Sequence, residues 1–502
     1  MLMTRIDSIR RILMALGFCV TLSIGSTAHA DDTTTPIKHL VVIYQENVSF
    51  DHYFATYPYA ANPPGEPRFD AAEHTPTVNG LNAALLHSNP NAVNPFRLGR
   101  AQAATCDMDH AYTAEQQAAD GGLMDKFVEF GGPRHGCDRN QVMGYFDGNT
   151  VTALWQYAQH FAMSDNFFGS TFGPSTVGAL NLIAGQTAGA NVKTLLSSFD
   201  ATEHDVVDGT VIGDAQPQYD DCSTREVVGM TGRNVGDLLN AKGIRWGFFA
   251  GGFRPNERDA QGKAVCRASH TGSNGKPMGD YIAHHQPFQY YPSTANPHHL
   301  PPSSVAMIGR QDQANHQYDL EDFWAAAQSH NLPAVSYLKA QAYQDGHAGY
   351  SDPLAEQAFL VSTLNHLQRL ADWQRMAVII TYDDSDGWYD HVMPPIINQS
   401  NLPDIDALTG PGHCGNAKPG AYPGRCGYGP RLPLLVISPY AKRNCVDHSI
   451  TDQSSILRFI EDNWQLGRIG DQSFDDRAGS LLKLFDFKHG PNKTRLILKQ
   501  EQ

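Results

Sequence analysis

Lys38-His39-Leu40-Val41-Val42-Ile43-Tyr44 runs straight into Gln45-Glu46-Asn47-Val48-Ser49-Phe50-Asp51-His52. A continuous apolar run that stops in polar and acidic residues reads as a strand covered on both faces and ending in a loop. The pattern recurs in Met376–Tyr382 (MAVIITY), followed by Asp383-Asp384-Ser385-Asp386-Gly387. A third apolar run covers Leu432–Ser438, and Ala334–Leu338 and Ile244–Ala250 are two shorter strand candidates. Helical spacing fills the intervals. Asp352–Leu370 has Ser351 as its expected N-cap and Pro353 near N1, with Ala355, Phe359, Leu360, Leu364 and Leu367 on one face. Thr451 is the expected cap of a second helix carrying Ile456, Leu457, Ile460 and Trp464. Strands alternating with helices predict a layered α/β fold. Residues from about 195 to 305 are rich in Gly, Asn, Pro, His and Tyr, and read as a loop-rich insertion or lid.

The chain has 502 residues, 41% hydrophobic and 18% charged, which excludes a disordered chain and a small stapled module. Its formal charge of −15 disfavours a nucleic-acid binder, which would carry a basic excess. The 22 histidines are conspicuous.

Residues 1–30 read as a secretory signal. Arg5, Arg10 and Arg11 precede the apolar run Ile12–Ile24, and Ala28-His29-Ala30 offers a cleavage site. The run is short for a membrane span. The expectation is a periplasmic or secreted chain, without integral membrane association, whose catalytic domain covers 31–490. Beyond Cys19 seven cysteines remain, none in a CxxC spacing. Export would allow disulfides. Neighbours in sequence suggest Cys106–Cys137, Cys222–Cys266 and Cys414–Cys426, leaving Cys445 unpaired.

Active sites of α/β sheets form where strands end. Asp383 and Asp384, adjacent at a strand end, repel unless a cation neutralises them, and Glu46 and Asn47 offer two further oxygens. Oxygen ligation suits a hard divalent ion; a solvated Asp-Asp-Ser-Asp-Gly turn is the alternative. Gly173-Pro174-Ser175-Thr176 opens an apolar helical run. A serine there either meets the anion-favouring helix end or merely caps the helix. His110, His284, His285 and His347 lie beside Gly, Pro and acidic residues, and could neutralise phosphate, protonate a leaving group or bind metal.

Taken in order, these segments resemble the bacterial acid phosphatase and phospholipase C type phosphoesterases of the alkaline phosphatase superfamily. The segments are His39–Phe54, Cys106–Tyr112, Gly173-Pro174-Ser175, His284–Tyr291, Gln344–Pro353, Thr381–Val392 and Gly429–Trp464. The resemblance implies a three-layer α/β/α sandwich and a secreted phosphoric ester hydrolase, either a broad-specificity acid phosphatase or a phospholipase C. Ser175 would be the nucleophile. Glu46, Asn47, Asp383, Asp384 and the Ser175 oxygen would hold one divalent metal, with Ca or Mg favoured over Zn or Fe. His110, His285, His347 and, less firmly, His284 would contact the phosphate of small phosphate esters or phospholipid head groups. Asp51, His52, Asp390 and His391 would be supporting residues. Where relatives carry a Pro-Asn-Arg-like run after the nucleophile, this chain has Thr176-Val177-Gly178-Ala179.

Overall fold

The computed structural model describes residues 32–133, 136–194 and 205–499. The expected signal at 1–30 lies outside these residues. Eight strands form one central sheet: β1 (His39–Gln45), β2 (Ala162–Ser164), β3 (Trp246–Ala250), β4 (Gln317–Asp319), β5 (Val335–Lys339), β6 (Met376–Tyr382), β7 (Leu434–Ile437) and β8 (Cys445–Asp447). Their spatial order is β4-β3-β5-β1-β6-β7-β2-β8. From β4 to β6 all neighbours are parallel, whereas β7 runs antiparallel to both β6 and β2. All five apolar runs lie in this sheet. Every residue of β6 and six of the seven in β1 are buried, as strands covered on both faces require.

Six helices of eight residues or more are described: α1 (Tyr112–Ala119), α2 (Thr152–His160), α3 (Ser175–Ala184), α4 (Leu320–Gln328), α5 (Pro353–Leu367) and α6 (Gln453–Trp464). Helices α3 and α6 pack together, as do α2 and α5, and the whole is a three-layer α/β/α sandwich. Two expected caps shift by one residue. Asp352 rather than Ser351 caps α5, taking the amides of Leu354 and Ala355 at 2.9 and 2.8 Å. Asp452 rather than Thr451 caps α6, its side chain accepting from the Ser454 amide. A carboxylate in the first turn also suits the helix dipole.

The stretch 195–305 is not uniformly peripheral. β3 lies inside it, fully buried between β4 and β5, and Phe288 packs its ring on Trp246 and Phe248 of that strand. Residues 251–281 carry only two-stranded ribbons. Past residue 490 the chain still packs: Asn365 and Gln368 pair with the backbone of Leu498 and Leu496. The three disulfides join Cys106–Cys137, Cys222–Cys266 and Cys414–Cys426, with Cα separations of 6.6, 5.7 and 5.8 Å, and Cys445 is free.

Candidate active site

Parallel pairing sets the first half of the site. Gln45 lies opposite Tyr382, so Glu46 and Asp383 leave neighbouring strands side by side. Asn47 adopts a left-handed backbone, φ 58°, which asparagine tolerates better than most residues. Its amide nitrogen donates to Asp383 Oδ1 at 2.8 Å and ties the two loops together.

Helix α3 brings the second half. Pro174 occupies the N-cap position and Ser175 is the first helical residue, with no side-chain capping bond. The capping role is therefore not what Ser175 does. Its Oγ faces Glu46 Oε2 (3.2 Å), Asn47 Oδ1 (3.2 Å) and Asp384 Oδ2 (3.1 Å). The helix can approach this closely because of Gly178: a Cβ there would sit 2.0 Å from the Asp383 carbonyl oxygen. The small residues that replace the Pro-Asn-Arg-like run thus have a packing reason.

Glu46, Asn47, Ser175, Asp383 and Asp384 are all buried, and together they form a cage of oxygens. Burial, then the nearby Asp383, push the Glu46 carboxyl well above its ordinary range; the same two causes act on Asp384. The Asn47 side chain points its oxygen at acceptors. Turned by half a rotation, it would instead donate to Asp383, Glu46 and Ser175 at 2.9–3.2 Å and accept from His347 Nε2. An acceptor-only cluster of this kind fits a hard divalent cation, which would satisfy the oxygens together. No described residue brings a thiolate to this cluster.

The histidines divide by environment. His110 Nδ1 donates to Met108 O (3.0 Å) and lies 3.3 Å from Asp386 Oδ1. Burial opposes its charge, but Asp384, Asp386 and Asp107 outweigh burial and hold its pKa well above the ordinary value. His285 Nδ1 lies 3.2 Å from Glu46 Oε1, yet burial and then His284 push its pKa well below normal. Burial likewise lowers His284 to about 4. The histidines are therefore not one protonated cluster: His110 is the cationic member. His347 lies across Asn47, with its ring stacked on Tyr350 and 6.3 Å from the His110 ring.

Four further residues complete the site, and none stood out in the sequence. Lys339 closes β5 and contacts Glu46 Oε1 from beneath, its ammonium 4.5 Å over the Tyr44 ring. Glu115 accepts from Gly173 N (2.8 Å) and Ser385 Oγ (2.6 Å), pinning the loop before Ser175 to the acidic turn. Asp214 accepts from Thr176 N at 3.0 Å, and Arg225 lies 3.2 Å from His284 Nδ1. A lysine ending an otherwise apolar strand was the one legible signal among them.

Asp51, His52, Asp390 and His391 stand apart. Arg431 is fully buried and binds Asp51 at 3.0 Å and Asp390 at 3.1 Å; His391 binds Asp51 at 2.6 Å. His52 stacks on Trp388 at 3.8 Å, and burial lowers its pKa to about 3.

A serine oxygen at a helix end beside a carboxylate cage and a cationic histidine is the equipment of a hydrolase acting on phosphate esters. The chain belongs to the Phosphoesterase family, whose model matches residues 37–467. Phospholipase C B of Mycobacterium tuberculosis is 25% identical over 483 residues, covering 92% of this chain and 80% of that one. The non-hemolytic phospholipase C of Burkholderia pseudomallei is 24% identical, covering 86% and 55% respectively. A Vibrio parahaemolyticus protein of the alkaline phosphatase superfamily overlaps with a TM-score of 0.30 at 10% identity, covering 78% of this chain and 72% of that one. That overlap is too low to bear on the fold, which rests on the sheet itself. No described helix is long and apolar enough to cross a membrane.

Proposed function

We propose that the chain is a metal-dependent acid phosphatase of broad specificity that works through a phosphoserine intermediate on Ser175. The single observation behind this is the position of Ser175 Oγ, 3.1–3.2 Å from three oxygens on two strand-end loops. Glu46, Asn47, Asp383, Asp384 and Ser175 Oγ would hold one divalent ion, with Ca or Mg suited to all-oxygen ligands and Zn or Fe the alternatives. Such an ion, when bound, lowers the serine pKa and offsets negative charge on phosphate oxygens.

The chain's own residues do the rest. Ser175 Oγ gives its proton to an adjacent carboxylate, Glu46 or Asp384, and attacks phosphorus, forming the Oγ–P bond as the P–O bond to the leaving group breaks. The His110 side chain, held cationic, supports the phosphate and supplies a proton to the departing oxygen. Water then cleaves the Oγ–P bond and returns the serine. Activity falls toward alkaline pH as His110 loses its proton, and because the facing carboxylates hold its pKa well above the ordinary value, that fall is expected above the usual histidine range.

Phospholipase C activity is the second reading, favoured by the names of the relatives. Purified wild type and Ser175→Ala are compared on p-nitrophenyl phosphate and phosphatidylcholine across pH 4–9. Loss of turnover in the variant with preference for the monoester supports the proposal; full activity in Ser175→Ala removes it. Preference for the phospholipid selects the second reading. Export through residues 1–30 is checked by the N-terminal mass of the protein recovered from its native host.

A further inference from the structure

The first turn of α3 should offer its free amides to a phosphoryl oxygen, yet one is already taken by an anion of the protein itself. Asp214 Oδ1 accepts the Thr176 amide at 3.0 Å. Thr176 is the residue next to the nucleophile. Asp214 is only half-buried, in the short connection between Thr210–Val211 and Gln216–Pro217, so it reaches into the site from its rim. Positive groups surround it. Arg225 donates to the Asp214 carbonyl at 3.4 Å and lies 3.2 Å from His284 Nδ1.

The Asp214 carboxylate thus occupies a helix N-terminus beside the nucleophile, with Arg225 on its own backbone carbonyl, a setting that also suits a phosphate. We infer that Asp214 is an internal anion that competes with the phosphoryl group for the first turn of α3, so that a phosphate ester displaces its carboxylate and the phosphate product is held less tightly. The inference rests on the proposed role of Ser175. Two anions a few ångströms apart in a poorly solvated site repel strongly. Without Asp214, the same ring of positive groups would retain inorganic phosphate and slow its release, a step that often limits turnover.

The test is equilibrium binding of inorganic phosphate to the intact protein at fixed pH and metal content, by calorimetry, for wild type and Asp214→Asn. Asparagine keeps an oxygen for the Thr176 amide and removes only the charge. The expected result is phosphate bound about tenfold more tightly. Tightening by less than about threefold, or weaker binding, overturns the inference. Asp214→Ala provides a second charge-free variant should the first not fold, with the same criteria. A purely structural capping role would lower the melting temperature and leave phosphate affinity unchanged, which counts against competition. Because binding is read without turnover, an active Ser175→Ala would sink the nucleophile assignment and leave this result standing on its own.

Discussion

Replacing Glu115 with glutamine should flatten the pH dependence of stability between about pH 4.5 and 7. Glu115 is buried, and its carboxylate joins Gly173 N to Ser385 Oγ. Burial lifts its pKa from 4.5 to about 7, against the opposing pull of Ser385, Gly173 and His110. A carboxyl with a raised folded-state pKa holds its proton more tightly when folded. Its stabilising contribution is complete below the unfolded value near 4.5 and is lost as pH rises through about 7. Over that interval the linkage amounts to about 3 kcal/mol. Glutamine cannot ionise, keeps an oxygen for Gly173 N–H, and can donate to Ser385 Oγ. Denaturant unfolding of both proteins at several pH values, with disulfides intact and metal fixed, reads the difference. It should move in favour of the glutamine variant by about 3 kcal/mol on going from pH 4.5 to 7.5. Parallel curves would refute the reasoning. Glu115→Ala is the harsher variant: it leaves two buried donors without an acceptor, at about 1–3 kcal/mol each. It should also lower kcat, because the loop carrying Ser175 is no longer pinned, whereas glutamine should retain most of the rate.

Arg431→Met should cost about 3–5 kcal/mol, because it leaves Asp51 and Asp390 buried without their shared cation; a loss below about 1 kcal/mol in denaturant unfolding would contradict this. Exhaustive chelation should lower the melting temperature, and re-addition of a divalent ion at about a hundredfold over its Kd should restore about 2.7 kcal/mol; an unchanged melting curve after verified metal removal counts against the cage. Replacing both Cys222 and Cys266 with serine should destabilise by about 4 kcal/mol, since their sequence separation is 44; unfolding midpoints equal to wild type would be incompatible with the bridge closing that loop.

The central strands were legible because burial on both faces leaves an unbroken apolar signature in β1, β3, β5, β6 and β7. The sheet margins β2, β4 and β8 carry three residues each and mix polar with apolar side chains, too little for periodicity to register. Glu46, Asn47, Asp383 and Asp384 could be found because each follows directly on such a run. The acidic pair was conspicuous as a cost that something must offset. Glu115, Asp214 and Arg225 carry no such mark. They reach the site from segments far along the chain, and only tertiary packing gives them partners. The histidines show a different limit: their count and neighbours pointed to a polar site, but charge depends on which carboxylates face each ring. His110 faces Asp384 and Asp386, while burial keeps His284 and His285 neutral.

Two acidic clusters sit on the loops after β1 and β6, and the contrast between them bears on metal binding. Ligand type and spacing alone nominate Asp51, Asp390 and His391 at one of them, and Glu46 with His285 and Asp345 at the other. In the cluster of Asp51, Asp390 and His391, Arg431 lies between the two carboxylates and His391 adds a second donor. Burial still raises Asp390, but Asp51 is held below its ordinary pKa by His391 and Arg431. That cluster is complete from the protein's own cations, and a metal would have to displace a fully buried guanidinium. In the cage of Glu46, Asp383 and Asp384, Lys339 and His285 both reach the same oxygen of Glu46, and His110 lies at the edge. Glu46 and Asp384 remain pushed upward by burial and then by the nearby Asp383. This difference in compensation supports the proposed cation site at Glu46, Asp383 and Asp384 over one at Asp51 and Asp390. This also explains how a chain of formal charge −15 can accept an anionic substrate. In the proposed mechanism the acidity is concentrated where a cation would take it up, and the groups that would face the phosphate, His110, Arg225 and the first turn of α3, are positive.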